Sequence, residues 1–330
     1  MINAALVGLG WWGRNILALL HANPTLRITR VVDVDPAAAA LAREHGAAFS
    51  SDLDAALGDP AVQAVILCTP HTLHCEQIVR AARAGKHVFC EKPLSLTRAD
   101  VERAVAACNA HKVVLAVGHE RRFEPPMQEV YRLASSGALG TLLQIEANFS
   151  QNLFLSLPPD NWRLSGKEAP AGPLTATGIH MLDLAVGLCG PAERVLANVR
   201  QLGSQLVNGD TLAILVAFKS GANALISAIL ATPFDGRLAV YGTRGWAEVR
   251  DKSHPQDPKG WTLTTCLEAG KIETADYPAA LAVRANLEAF AEAAAGGAPY
   301  PIPQEQMVWN IAALEAIVQS AASGTIRSVA

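Results

Sequence analysis

The sequence predicts two domains: a doubly wound parallel α/β sheet over residues 1–119, then an α+β domain with a large, mainly antiparallel open sheet over residues 120–330. Three observations carry this. A glycine-rich turn joins an apolar run to a helical pattern at the start of the chain. Strand-like and helix-like patterns then alternate to about residue 119, the order that builds a parallel sheet. Past that point one helix gives way to a succession of strands, which reads as hairpins. At 330 residues the chain is also too long for one ordinary core.

The first run, "INAALV" at 2–7, is a short strand, and "GLGWWG" follows with Gly8, Gly10 and Gly13 at G-x-G-x-x-G spacing. "RNILALLHAN" has helical periodicity, and "RITRVVD" is a second strand ending in Asp33, 20 residues after Gly13. Strand, glycines, helix and acid together form a dinucleotide fingerprint. Gly8 permits the tight turn, Gly10 lets the backbone approach a pyrophosphate, and Gly13 lets helix and strand pack closely. The phosphate charge then sits on free N–H groups at the helix N-terminus. Asp33 is placed to accept from the adenosine ribose hydroxyls, and its charge repels a 2′-phosphate. Val34 offers no compensating cation, so NAD is favoured over NADP.

Asp35 and Pro36 read as the N-cap and first position of the next helix. "DLDAALGDP" is a short helix, "VQAVILCTP" a strand, and "TLHCEQIVRAARAG" a helix closed by Gly85. "KHVFCEKP", "RADVERAVAACNAH" and "KVVLAVGH" continue as strand, helix and strand. Ligands of such sheets lie beyond the carboxyl ends of the strands. "TPHTLH" (69–74) and "EKP" (91–93) stand at two of those ends. Lys92 suits alcohol oxidation, which needs a proton removed as hydride leaves. A free lysine, at about 10.4, is a poor base at neutral pH, but burial and a positive nicotinamide ring both disfavour an ammonium. The competing reading of Lys92 is a solvated lysine at a strand end. His71 and His74 lie at a helix start, where capping or surface histidines are common, and His87, His111 and His254 read as surface residues.

Composition narrows the class. The net charge of −3 is mixed in sign, with no basic run to suggest a nucleic-acid or membrane surface. No apolar stretch reaches the ~20 residues of a membrane span. "MINAALVGLG" reads as a strand, not a signal peptide. The six cysteines form no C-x-x-C pair, so neither a disulfide framework nor a metal site is implied. A cytoplasmic protein is expected.

The set of motifs resembles the Gfo/Idh/MocA oxidoreductases, relatives of glucose–fructose oxidoreductase and inositol dehydrogenase. The matching residues are "GLGWWG" with Asp33, "TPHTLH", "EKP", "RRF" at 121–123, "WR" at 162–163, "GPLTATGIHMLDL" at 172–184, "YGTRGWAEV" at 241–249 and the closing "LEAIVQSAASGTIRSV". The resemblance runs in order along nearly the whole chain. It implies a Rossmann domain with Trp11 and Trp12 beside the cofactor. Thr69, Pro70, His71 and His74 then line it near the nicotinamide ribose, and Glu91 and Lys92 stand beside the nicotinamide, often with a cis Lys–Pro bond. It makes Lys92 the central catalytic residue and His180 its partner at the substrate carbinol, across an interdomain cleft.

In the second domain, "PMQEVYRLASSG" is a helix, and strands fall near 141–150, 193–202, 210–218, 222–232, 237–242, 246–250 and 261–266. Ser220-Gly221 makes a hairpin turn. "TLAILVAF" and "ALISAILA" are apolar on nearly every residue, so both faces should be buried. Helices of one subunit cover only one face, so self-association of this sheet, as dimer or tetramer, is expected. A helix over 304–323 follows, able to pack back on the first domain.

Aligned on His180, the glycine run usual in the family falls on Pro170, Ala171 and Gly172, and its usual Asp falls on Ala176. Three explanations compete. Lys92 and His180 suffice; or Thr175 or Thr177 relays a proton or binds a substrate hydroxyl; or catalysis is lost. Asp183, one turn from His180, either orients the imidazole or pairs locally. Arg121, Arg122 and Arg163 either bind a substrate carboxylate or form salt bridges and cofactor contacts. The leading function is an NAD(P)-dependent oxidoreductase of CH–OH groups, acting on a sugar, cyclitol, sugar acid or related small molecule. The alternative is a non-catalytic NAD-binding sensor.

Overall fold

In the computed structural model, which describes residues 1–267 and 270–329, every strand of the first sheet runs parallel. Its strands are β1 (Ile2–Val7), β2 (Leu26–Val32), β3 (Ala48–Ser50), β4 (Ala64–Leu67), β5 (His87–Cys90) and β6 (Leu115–Val117). The helices α1 (Trp11–Leu19), α2 (Ala38–Glu44), α3 (Leu53–Leu57), α4 (His74–Arg83) and α5 (Arg98–Ala110) separate them. The spatial order is β3-β2-β1-β4-β5-β6, so the winding reverses between β1 and β4. Ligands of doubly wound sheets bind at such a reversal. The glycine turn after β1 and Thr69-Pro70 after β4 both lie there. β4 reads Ala-Val-Ile-Leu and is buried at each residue, as a strand covered by helices on both faces must be.

The chain forms two compact units, Met1–His119 with Val283–Val308, and Glu120–Ala282 with the residues from Trp309 on. The returning segment of the first unit holds most of α8 (Ala282–Ala294). Leu287, Phe290 and Ala291 join the core formed by Ile2, Leu6, Ile16 and Phe89. The Phe290 ring meets Phe89 edge-on at 5.8 Å. Asn286 Nδ2 donates to the Val117 carbonyl at 2.9 Å, closing the end of β6.

The second unit is a sheet of β7 (Leu142–Ser150), β8 (Ala192–Arg200), β9 (Thr211–Phe218), β10 (Asn223–Ile229), β11 (Asp235–Gly242), β12 (Gly245–Asp251), β13 (Trp261–Leu267), β14 (Ile272–Tyr277) and β15 (Arg327–Ser328). The order is β14-β13-β12-β11-β7-β10-β9-β8-β15, antiparallel throughout except for β7 against β10. The exposed β14 and the two-residue β15 carry no apolar alternation and were not anticipated. α6 (Pro125–Ser135) packs on β12 and β13, and α7 (Ile179–Cys189) packs on β7 and β10. Gly221 closes the β9–β10 hairpin at φ +91°, where Phe218 N–H donates to Ala222 at 2.9 Å.

The expectation that β9 and β10 are buried on both faces holds for one face of this chain. Leu212, Ile214, Val216 and Phe218 point into the core. Leu215 and Leu225 are 43% and 46% exposed on the opposite face, beside Leu196 at 40%. A strand's side chains alternate strictly, so an all-apolar run on a sheet covered once leaves an apolar stripe on the open side.

Candidate active site

The glycine turn is shaped by contact, not only by flexibility. Gly8 has φ +91°, and a Cβ there would stand 2.8 Å from the Cys68 carbonyl oxygen. A Cβ on Gly13 would run into the Gly8 carbonyl. Gly10 is different: a Cβ would meet nothing within 4 Å, its backbone is ordinary, and it caps α1 with no side-chain bond. Open space in front of uncapped helix N–H groups fits a pyrophosphate. The Asp33 carboxylate accepts from Leu9 N–H through one oxygen and from Asp35 N–H at 2.9 Å through the other. It thus ties the turn to the end of β2. Trp11 and Trp12 follow with ring centres 5.7 Å apart.

His74 joins the ends of β4 and β5. Its ring is fully buried, 2.9 Å from the Thr69 carbonyl and 2.8 Å from the Pro93 carbonyl. Burial lowers its affinity for a proton and the two carbonyls oppose that. His71 is buried as well, with its ring 5.8 Å from His74. Neither is a surface residue: His74 holds the loops that carry Thr69 and Lys92, and His71 packs beside it. The Thr69 hydroxyl donates to Gln77 at 2.6 Å. The Lys92–Pro93 bond is cis. Lys92 is half-buried, and its N–H donates to Glu91 at 3.2 Å. The Glu91 carboxylate fills the space where a Cβ of Gly118 would stand.

In the second unit, "GPLTATGIHMLDL" forms one π turn at Leu174–Gly178 that runs into α7. His180 is 4% exposed at the start of α7. Its ring packs on Phe149 of β7 at 5.9 Å, and its Nδ1 lies 3.6 Å from Glu120 Oε2. Phe149 also meets Phe234, His254 and the Arg121 guanidinium, which lies 5.2 Å over its ring. His254 is therefore not a surface residue. Burial and the charge of Arg121 push it down to about 4. His87 is half-buried too, accepting from Val114 N–H at 3.0 Å.

Several expected roles change here. Arg121 is 1% exposed and is held by Asp251 at 2.7 Å and Glu124 at 3.1 Å, so it is a structural cation and not a substrate ligand. Arg122 forms a forked pair with Asp183 at 2.6 and 2.9 Å, the salt-bridge and local-pairing alternatives weighed for these two residues. Arg163 stacks on Trp162 at 4.3 Å. The buried Thr175 and Thr177 hydroxyls donate to the carbonyls of Gly172 and Pro173. Ala176 packs against Phe154, Leu206 and Leu230, an apolar surround where a carboxylate would be stranded. Ala171 takes φ +49°, the left-handed region glycine prefers, at one of the positions where a glycine run was expected. Sequence reasoning missed Glu120. Its signal was only an acid beside a recognised "RRF", and nothing in the spacing ties it to residue 180.

Residues 2–119 match the family described as "Oxidoreductase family, NAD-binding Rossmann fold", and residues 127–248 match the "GFO/IDH/MocA C-terminal domain". The chain belongs to the GFO/IDH/MocA oxidoreductase family, and it is an NAD(P)-dependent oxidoreductase. It is 32% identical to 1,5-anhydro-D-fructose reductase of Ensifer adhaerens over 87% of this chain and 86% of that one. It is 30% identical to inositol 2-dehydrogenase of Rhizobium meliloti over 74% of each. Aldose-aldose oxidoreductase from Caulobacter crescentus, solved with glycerol, superposes with a TM-score of 0.87 at 26% identity, over 99% of both chains.

The two inner glycines should part company. Gly10→Ala should keep the melting temperature and weaken NADH binding by at least about tenfold, because a methyl there displaces only a ligand. Gly13→Ala should lose about 1–3 kcal/mol of stability by overpacking, read by denaturation. A second expectation concerns Glu124. Burial pushes its carboxyl up to about 8, against the pull of Arg121 and with the charges of Asp251 and Glu120 adding to the rise. A raised group gives stability that is whole below its ordinary 4.5 and is lost as pH rises through about 8. Glu124→Gln should match the wild type below about pH 4.5 and outlast it in melts by a margin that grows from there to about pH 8 and is flat above.

Proposed function

We propose that the protein is an NAD-dependent dehydrogenase or reductase of a polyhydroxylated small molecule, a sugar, cyclitol or sugar derivative. The observation that carries this is the intact dinucleotide turn of the first unit, and the reading takes Lys92 after β5 and His180 at the start of α7 as its proton-handling groups. Support for the substrate class comes from relatives named as a sugar reductase and an inositol dehydrogenase. The turn from Gly8 to Gly13 would hold a nicotinamide dinucleotide, which would supply hydride transfer to or from the carbinol carbon. Lys92 and His180 handle the hydroxyl: in oxidation one of them accepts its proton as the C=O bond forms, and in reduction the protonated group polarises the carbonyl. The Lys92–Pro93 loop, held by His74, presents Lys92 from the strand end.

NAD is preferred over NADP because Asp33 places a carboxylate at the end of β2 with Val34, 90% exposed, beside it. A 2′-phosphate meets repulsion from Asp33, and the residue after it supplies no cation. The six free thiols suit a reducing, cytoplasmic setting. No helix among the described residues is long and apolar enough to cross a membrane. The open face of the second sheet takes a second copy of the chain. Leu196, Leu215 and Leu225 form its apolar stripe, and Arg237, paired with Glu146 and Glu248 at 2.8 Å, forms its polar margin.

A panel of sugars, sugar acids and cyclitols, followed at 340 nm with both cofactors, tests the activity. Lys92→Ala should lower kcat/KM by about 10²–10⁴ while NADH binding stays within about twofold. NADH should bind at least about tenfold more tightly than NADPH. Failure of the whole panel, with cofactor binding intact, overturns the catalytic reading. Sedimentation at micromolar concentration should show a dimer or larger. A monomer there removes the sheet-face proposal.

A further inference from the structure

We propose that Glu120 is the positioning residue of His180, its carboxylate accepting the Nδ1 proton and so leaving the Nε2 lone pair for the substrate hydroxyl. This rests on the oxidoreductase reading above and adds a residue to it.

The argument begins from burial. Glu120 is 8% exposed and His180 4%, and a buried carboxylate needs compensation. His180 Nδ1 stands 3.6 Å from Glu120 Oε2, an ion-pair distance slightly beyond a hydrogen bond. Catalytic hydrogen bonds often tighten only when substrate is present. The other groups near the ring are committed elsewhere. Asp183, one turn along α7, is forked onto Arg122. The Thr177 hydroxyl donates to Pro173. Ala176, one turn before His180, faces Phe154, Leu206 and Leu230. Arg121 and His254 meet the Phe149 ring on which the imidazole also packs.

The Arg121 guanidinium is the neighbouring cation, and its field includes Glu120 along with Asp251 and Glu124. Asp251 takes one guanidinium nitrogen through both oxygens at 2.7 Å, so Arg121 is covered there by another acid. Glu120 meets the imidazole. A neutral imidazole carries one proton, and the nitrogen facing an acceptor holds it. That fixes Nε2 as the base. When Nε2 takes the hydroxyl proton, the resulting imidazolium lies against an anion, which stabilises it.

Histidine-selective nitrogen NMR tests this without any substrate, with His180→Gln used to assign the signal. In the wild type the neutral His180 ring should be the Nδ1–H tautomer. An Nε2–H tautomer overturns the proposal. In Glu120→Gln, His180 should titrate lower by about one pH unit, since an anion at this range raises a histidine. In Glu120→Asp it should return towards the wild type. Identical titration in wild type and Glu120→Gln overturns the proposal. With an active substrate in hand, Glu120→Gln should lower kcat about tenfold or more with NADH binding unchanged, and its pH profile should move with the imidazole. If no substrate is turned over, the oxidoreductase reading fails while the tautomer still decides the role of Glu120.

Discussion

The second unit is organised around one buried cation. Arg121 is 1% exposed, and three acids crowd it: Asp251 and Glu124 by direct contact, and Glu120 through its field. An isolated guanidinium in such a place is prohibitively costly, and a buried pair is favourable only when its geometry is nearly complete. Here the ion cluster also joins separate elements. Asp251 ends β12, Glu124 precedes α6, and Trp261 at the start of β13 donates to the same Asp251 at 2.9 Å. Arg121 therefore fixes the entry of α6 onto the sheet. Its flat face covers Phe149, and the other neighbours of Phe149 are His180, His254 and Phe234. The floor under the candidate base is set by this ion cluster.

This division explains what could be read in advance. The first sheet was legible because its rules are local. The strand–glycine–helix order, the acid after β2 and the alternation to β6 are consecutive in the chain, and parallel pairing follows from them. The second sheet was legible as strands and hairpins, but β7 beside β10 is a long-range parallel pairing no local signal encodes. β14 and β15 escaped because a solvated strand needs no apolar alternation. The return of 283–308 to the first core is also non-local, though Leu287 and Phe290 sit one helical turn apart and mark a buried face.

The site divides the same way. Gly8, Gly10, Gly13, Lys92 and His180 stand in motifs, and motifs are short. Arg121 and Arg122 stayed open between substrate ligand and salt bridge because a sequence shows a charge without its partner. Asp251 is 130 residues from Arg121, and Asp183 is 61 from Arg122. Along the helix, positions 176 and 183 are among those one turn from His180. The first is an alanine packed into Phe154, Leu206 and Leu230, and the second is an aspartate already paired. The carboxylate comes instead from the turn before α6, placed there by its neighbour Arg121. One residue of "ERRF" is thus held by the acids of another element, and the residue before it is delivered to the histidine.

The most direct test of this account is a double-mutant cycle of Arg121→Met and Asp251→Asn, followed by denaturant unfolding. Breaking a buried pair on one side leaves an uncompensated charge, so Arg121→Met should cost about 3–5 kcal/mol. Removing both charges should recover much of that loss, with a coupling of about 2 kcal/mol or more. Losses that simply add would contradict the account, because Arg121 would then be a bystander and not the group on which the floor beneath His180 depends.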